Sequence, residues 1–208
     1  MDASGPHQRR LVEGHGEAPG GPSWSADGRM IMFQTERSTR GGCCVTSLFV
    51  INRDGTGLTR LARSTTLSGA SWSPRGRTLA IGHYDSSGIG TSVLTIADLR
   101  GFLGRPMLWP VKEIRDVYPG SYEWSPDGRS IVYWNDAGVW IADARRHASR
   151  RRFAVQALPG TWSPDGRWFV FASERGIEIA SAVGRKRRIV TPKIKNCCPL
   201  DEIEWAPR

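Results

Sequence analysis

The stretch WSPDGRSIVY at residues 124–133 decides the fold, because it recurs at four other places in the chain. The other copies are WSADGRMIMF from Trp24, WSPRGRTLAI from Trp72, WSPDGRWFVF from Trp162 and a short WAPR from Trp205. The tryptophans that begin successive copies are separated by 48, 52, 38 and 43 residues. A fixed period in this range indicates that each copy is one supersecondary unit of a repeat architecture.

Each copy has the composition of a tight hairpin followed by a buried strand. Pro126 supplies the fixed φ of the second turn position, Asp127 can bond neighbouring backbone amides, and Gly128 tolerates a left-handed φ. The apolar run at residues 131–133 then suits a strand buried between two layers. Because the tryptophan stands at one fixed place in every copy, we predict that it packs in the core.

Two further apolar runs complete a four-stranded unit in each copy. A third strand is predicted at 48–51 and 93–96, and a fourth at 58–62, 108–113, 153–158 and 187–191. Units of this size predict an all-β fold, a β-propeller of four-stranded antiparallel blades. The predicted blades cover 21–68, 69–118, 119–158 and 159–192, and residues 1–14 and 200–208 provide partial strands at the two ends of a single domain.

The repeated string W-S-P-D-G-R before an apolar strand resembles the WD-like repeat of TolB and of the propellers that precede the catalytic domain in prolyl oligopeptidase-like enzymes. This resemblance covers essentially the whole chain. It implies a propeller of about six or more blades, whereas four complete copies are present here. Either the two ends pair to form an incomplete closing blade, or the chain is a fragment whose open strand edges another segment covers.

The composition sets limits on the class of protein. No apolar run approaches the length of a membrane span, and residues 1–22 lack the pattern of a secretory signal, although the TolB resemblance suggests a periplasmic or extracellular protein. The sequence offers no nucleophile elbow, no paired carboxylates and no histidine cluster at metal spacing. We therefore expect no enzyme activity, no catalytic residues, no metal and no cofactor.

Four cysteines form two adjacent pairs, Cys43-Cys44 and Cys197-Cys198. The first pair is predicted between the second and third strands of the first blade, and the second pair follows the fourth blade. If the ends of the ring meet, the pairs could form one or two disulfides or a four-thiolate metal site. Unpaired thiols are the alternative, and the sequence leaves the choice open.

The net charge is +9, and two basic clusters carry much of it. We predict both in hairpins between third and fourth strands, which share one side of the propeller, so they could form a patch for an anionic partner or simply a solvated surface. The predicted patch residues are Arg145, Arg146, Arg150, Arg151, Arg152, Arg185, Lys186, Arg187 and Arg188. Nucleic acid and anionic lipid are weaker partner classes, because no aromatic stacking pattern accompanies the charge.

The sequence therefore predicts a non-catalytic propeller scaffold for protein–protein interaction, with a partner of unknown identity. One alternative is the substrate-gating propeller of a prolyl oligopeptidase-like serine peptidase whose catalytic domain lies outside this chain. A second is the binding of a ligand or anion through a basic face of the propeller.

Overall fold

The computed structural model describes residues 10–12, 19–39, 44–84, 92–102, 105–118, 120–146, 150–154, 157–182 and 186–192. Sixteen β-strands and no helix occur in this part of the chain. They form four separate antiparallel sheets of four strands, each in sequence order. The described residues confirm the predicted fold class of four-stranded antiparallel blades, whereas the predicted partial strands at both ends lie almost wholly outside them.

Each blade is a meander of four consecutive strands. The first blade contains β1 (Pro19–Trp24), β2 (Met30–Ser38), β3 (Cys44–Asn52) and β4 (Thr59–Ser64). The second contains β5 (Leu67–Trp72), β6 (Thr78–Tyr84), β7 (Ser92–Phe102) and β8 (Arg105–Val117). The third contains β9 (Tyr122–Trp124), β10 (Ser130–Asn135), β11 (Gly138–Asp143) and β12 (Arg150–Ala154). The fourth contains β13 (Ala157–Trp162), β14 (Trp168–Ser173), β15 (Gly176–Ser181) and β16 (Arg187–Pro192).

The predicted position of the fourth strand in the third blade was wrong. We expected it at 153–158, but β12 ends at Ala154 and β13 of the next blade begins at Ala157. The basic run at 150–152, predicted as a hairpin, lies in β12 and pairs with residues 140–142 of β11. β12 is the edge strand of its sheet, and charged residues are common on the edge strands of natural sheets.

The hydrophobic core lies between consecutive blades. Met32 and Leu48 of the first blade cluster with Leu79 and Ile81 of the second. A second cluster joins Leu94 and Ile96 to Ile131 and Tyr133, and a third joins Val132 and Trp134 to Phe169 and Phe171. Residues 131 and 133 of β10 thus face one neighbouring blade while 132 and 134 face the other. A strand covered on both faces is apolar without alternation, which explains the continuous runs in the sequence.

The repeated tryptophans pack against the preceding blade. Trp72, Trp124 and Trp162 are each at least nine-tenths buried in the three clusters, which confirms their predicted role in the core. The Nε1 of Trp72 also donates a hydrogen bond of 3.2 Å to the carbonyl oxygen of Ser23 in the first blade. Trp24 is the exception, because 48% of its surface is exposed. No blade precedes it within the described residues.

Candidate functional site

The repeated turn is held by its own side chains. In the third blade the Ser125 Oγ donates to Asp127 Oδ1 at 2.6 Å and accepts from the amide of Ser130 at 2.9 Å. The amide of Arg129 donates to Asp127 Oδ1 at 3.0 Å, and Gly128 has a φ of +64°. The first and fourth blades repeat these bonds. The predicted roles of the aspartate and the glycine are therefore confirmed.

These turns lie on one side of the propeller, which we call the turn face. In an antiparallel meander the first and third connections leave at the same end, so each blade contributes two connections to this side. Neighbouring turns also touch. A Cβ added at Gly128 would lie 2.5 Å from the Ser73 Oγ of the preceding turn, and Arg77 pairs with Asp27 at 3.3 Å. The turn face is therefore a connected surface.

Two of the turn aspartates, Asp27 and Asp127, have a pKa below the ordinary value. The hydrogen bond from Ser25, together with the Arg29 amide and Arg77, lowers the pKa of Asp27. For Asp127, burial raises the pKa, but the bonds from Ser125 and the Arg129 amide more than offset it, so the net shift is downward. Asp127 accepts its hydrogen bonds from its own turn, and Asp27 accepts a further one from Arg77 of the next blade, which assigns both a structural role.

In the first predicted basic cluster, that of the third blade, Arg145 and Arg146 lie on the turn face and are already paired in part. Arg145 is exposed, and its guanidinium lies 3.3 Å from Asp98 Oδ1 of the second blade. The amides of Arg145 and Arg146 both donate to Asp143 Oδ1, at 2.8 and 2.9 Å. Behind them, the buried Lys112 of β8 donates from Nζ to two carbonyl oxygens of this connection. Residues 143–146, at the start of this connection, are therefore anchored to the neighbouring blade.

The residues of the second predicted cluster, 185–188 of the fourth blade, have different environments. Arg187 donates to the buried carboxylate of Glu178 at 2.5 and 2.7 Å, and its guanidinium lies 5.4 Å from the ring centre of Phe171. Lys186 and Arg188 are exposed. Arg185 lies outside the described residues, as do the side chains of residues 150–152. Arg145, Arg146 and Arg187 already have carboxylate partners. Among the patch residues whose side chains the structure describes, Lys186 and Arg188 therefore keep their charge unpaired.

A cleft between the first and second blades was missed by the sequence reasoning. It opens on the turn face beside the β3–β4 turn and has a volume of about 710 Å³. Five arginines of two blades line it, and no acidic residue does. They are Arg29, Arg60, Arg77, Arg100 and Arg105. One signal was available in the sequence, since Arg29 and Arg77 each end a copy of the repeated turn.

The five arginines differ in their partners. Arg77 pairs with Asp27, and Arg100 lies 3.4 Å from Asp98 and 5.3 Å from the ring centre of Trp109. Among the described residues, no carboxylate lies within ion-pair distance of the three others, Arg29, Arg60 and Arg105. The cleft therefore concentrates positive charge that the described part of the protein does not neutralise.

Few of the other predicted features fall within the described residues. Cys44 is exposed with a free thiol at the start of β3, whereas Cys43, Cys197 and Cys198 lie outside the described residues, so the disulfides stay a prediction. In the described ranges, His, Cys, Asp and Glu side chains form no group of three that could hold a metal ion. Nor does this part of the chain contain a helix long and apolar enough to cross a membrane.

Comparison with known proteins finds a partial sequence relative and several solved structures of similar fold. No protein-family model matches the chain. The Tol-Pal system protein TolB of Gluconobacter oxydans is 39% identical over 92 residues, which is 42% of this chain and 19% of that protein. The chain thus spans a small part of the length of this relative.

Solved structures agree with the same fold. The TolB structure from Agrobacterium tumefaciens matches 85% of this chain and 63% of its own, with a TM-score of 0.53 and 20% identity. The β-propeller domain of the Trilobed protease from Pyrococcus furiosus matches 88% of this chain and 59% of its own, with a TM-score of 0.59 and 14% identity. The repeated turn, the four meander blades and these likenesses together show that the chain has a β-propeller fold with repeats similar to those of TolB.

Proposed function

We propose that this propeller is a non-catalytic scaffold that binds a protein partner through its turn face. The supporting observation is that the described residues at the start of the β11–β12 connection contact the second blade, through Arg145 with Asp98 and through Lys112 with the carbonyl oxygens of Asp143 and Arg146. A surface that is already ordered loses little conformational entropy when a partner binds. Rigid loops on a repeat scaffold are a common basis for recognition.

The charge of this face favours an acidic protein surface as the partner. The chain has a net charge of +9, and exposed arginines end the repeated turns of all four blades. Complementary charge speeds association and selects among partners. The name of the Gluconobacter relative assigns that protein to the Tol-Pal system. By this likeness, we propose a periplasmic or extracellular location for the scaffold.

Site-specific photo-crosslinking in cells tests this proposal. Arg167 and Glu174 are both exposed and flank the two ends of β14, so a photoreactive amino acid at 167 reports on the turn face and one at 174 on the opposite face. We expect a discrete protein adduct from position 167 alone, identifiable by mass spectrometry. Equal adducts from both positions, or none from either, would contradict binding through the turn face.

The competing function is the substrate-gating propeller of a serine peptidase, which the likeness to the Trilobed protease propeller favours. An antibody to this chain, used on extracts of the source cells treated with a fluorophosphonate probe, separates the two functions. The scaffold predicts an antibody-reactive band that carries no probe. A labelled band of larger mass would favour the peptidase and overturn the non-catalytic proposal.

A further inference from the structure

We propose that the cleft between the first and second blades binds a small organic polyanion, one that carries at least two carboxylate or phosphate groups. The cleft lies on the same turn face, but this proposal does not depend on the protein-binding function proposed above. Its ligand is recognised by charge at the rim of the cleft and by shape at the base.

The charge of the cleft sets the class of ligand. Five arginines line it without an acidic residue, and Arg29, Arg60 and Arg105 have no carboxylate partner among the described residues. A guanidinium presents a planar fork of donors that matches carboxylate and phosphate groups in pairs. Because the arginines come from both blades, a ligand with two anionic groups can bridge the blades where a monoanion cannot.

Two of the arginines are already held in place. Asp27 pairs with Arg77 at 3.3 Å, while Arg100 contacts both Asp98 and the ring of Trp109. A side chain that is held before binding loses less rotamer freedom when it meets the ligand. The paired arginines thus supply fixed donors, and the unpaired ones supply the excess charge.

The size of the cleft and the apolar residues at its base indicate that its ligand is an organic molecule rather than a simple ion. Its volume of about 710 Å³ lies in the range of about 300 to 1,000 Å³ that is typical of small-molecule sites. Met30 and Leu99, both largely buried, line it together with the more exposed Leu58. These apolar surfaces can pack against the carbon skeleton of an organic anion, which inorganic ions lack.

The β3–β4 turn adds a neutral polar edge to the cleft. Asn52 and Thr59 both line it, and the Asn52 Nδ2 donates to Thr56 Oγ1 at 3.1 Å. Gly57 has a φ of +68°, and a Cβ there would lie 2.7 Å from Asn52 Nδ2. A glycine at this position therefore lets the turn fold closely over the asparagine at the edge of the cleft.

Isothermal titration calorimetry with citrate and with inorganic pyrophosphate tests the site, using the full chain at low ionic strength. The test variant is Arg60→Gln with Arg105→Gln. The control is Arg129→Gln with Arg167→Gln, which removes the same charge from exposed positions of the turn face outside the cleft. We expect at least one probe to bind the wild type, and the test variant to bind it about tenfold more weakly or worse. The control should change the affinity less than about twofold.

Two outcomes would overturn the proposal. If both variants weaken binding equally, the charge of the whole face binds the probe and the cleft is not a site. If neither probe binds the wild type, the cleft does not take polyanions. A preference for citrate or for pyrophosphate would tell whether carboxylate or phosphate is the preferred group. The crosslinking pattern expected of the scaffold is independent of either result.

Discussion

The Nζ of Lys112 lies 2.8 Å from the carbonyl oxygen of Asp143, and this hydrogen bond connects the outer strand of the second blade to the third blade. The same Nζ donates to the carbonyl oxygen of Arg146, also at 2.8 Å. Only 7% of Lys112 is exposed. A buried ammonium group therefore holds a loop of the turn face in place.

Replacing Lys112 with methionine should destabilise the protein, because two carbonyl oxygens lose a charged donor. We expect the free energy of unfolding to fall by about 1.5 to 3 kcal/mol. Urea denaturation measures it, and Lys186→Met is the control, since Lys186 is exposed and should change stability by no more than about 0.5 kcal/mol. If both variants lower the free energy of unfolding equally, Lys112 does not anchor the loop.

The repeated tryptophans should differ in their contribution to stability. Trp72→Ala leaves a cavity between the first two blades, so the free energy of unfolding should fall by about 3 to 5 kcal/mol. Trp24→Ala removes a half-exposed ring and should lower the free energy of unfolding by about 0.5 kcal/mol or less. Thermal unfolding of the two variants compares them. If Trp24→Ala lowers stability as much as Trp72→Ala does, a further surface must cover Trp24 in solution.

Gly160 should not accept a side chain. A Cβ at this position would lie 1.8 Å from the carbonyl oxygen of Val170, where β13 bulges against β14. Gly160→Ala should therefore lower the free energy of unfolding by about 2 to 3 kcal/mol. Gly20 of β1 has open space around it, so Gly20→Ala should leave stability unchanged within about 0.5 kcal/mol. Urea denaturation of both variants checks this difference, and a tolerated Gly160→Ala would contradict it.

The sequence predicted the features that one repeat copy determines by itself. The turn of Ser125, Asp127 and Gly128 was predictable because its hydrogen bonds join residues at most five positions apart. Gly160 was not. Two residues before the repeated tryptophan, the other blades have Pro22, Ala70 and Tyr122, so the pattern gives no warning that a Cβ is excluded here. The local bulge against Val170 sets this requirement.

Features that depend on contacts between blades or across a hairpin were also missed. The arginines of the cleft are spread from residue 29 to residue 105 and meet only because two blades pack together. Arg187 belonged to a predicted basic patch, yet the pairing of β15 with β16 brings it to Glu178. Trp24 follows the repeat pattern, but burial depends on a neighbouring blade rather than on the residue itself.

The ion pair of Glu178 and Arg187 makes the stability of the fourth blade sensitive to acid. Glu178 is fully buried and accepts hydrogen bonds from Arg187 and from Ser173 Oγ. The bonds from Arg187, with help from Ser173 and despite the opposing effect of burial, lower the pKa of Glu178 below its ordinary value of 4.5. A carboxyl group whose pKa is lower in the folded state stabilises the protein above the unfolded-state value, and this contribution disappears as the pH falls through the folded-state pKa.

Glu178→Gln should therefore lower the free energy of unfolding at pH 7, by about 2 kcal/mol because Arg187 is partly exposed and solvent weakens the pair. The difference from the wild type should persist down to about pH 4.5 and then shrink in more acidic solution. Urea denaturation at a series of pH values measures it. Glu113→Gln, at an exposed pair with Arg115, should retain the acid dependence of the wild type. A difference between wild type and Glu178→Gln that stays constant from pH 7 to about pH 3 would show that the charge of Glu178 does not stabilise the blade, because protonation would then leave its contribution unchanged.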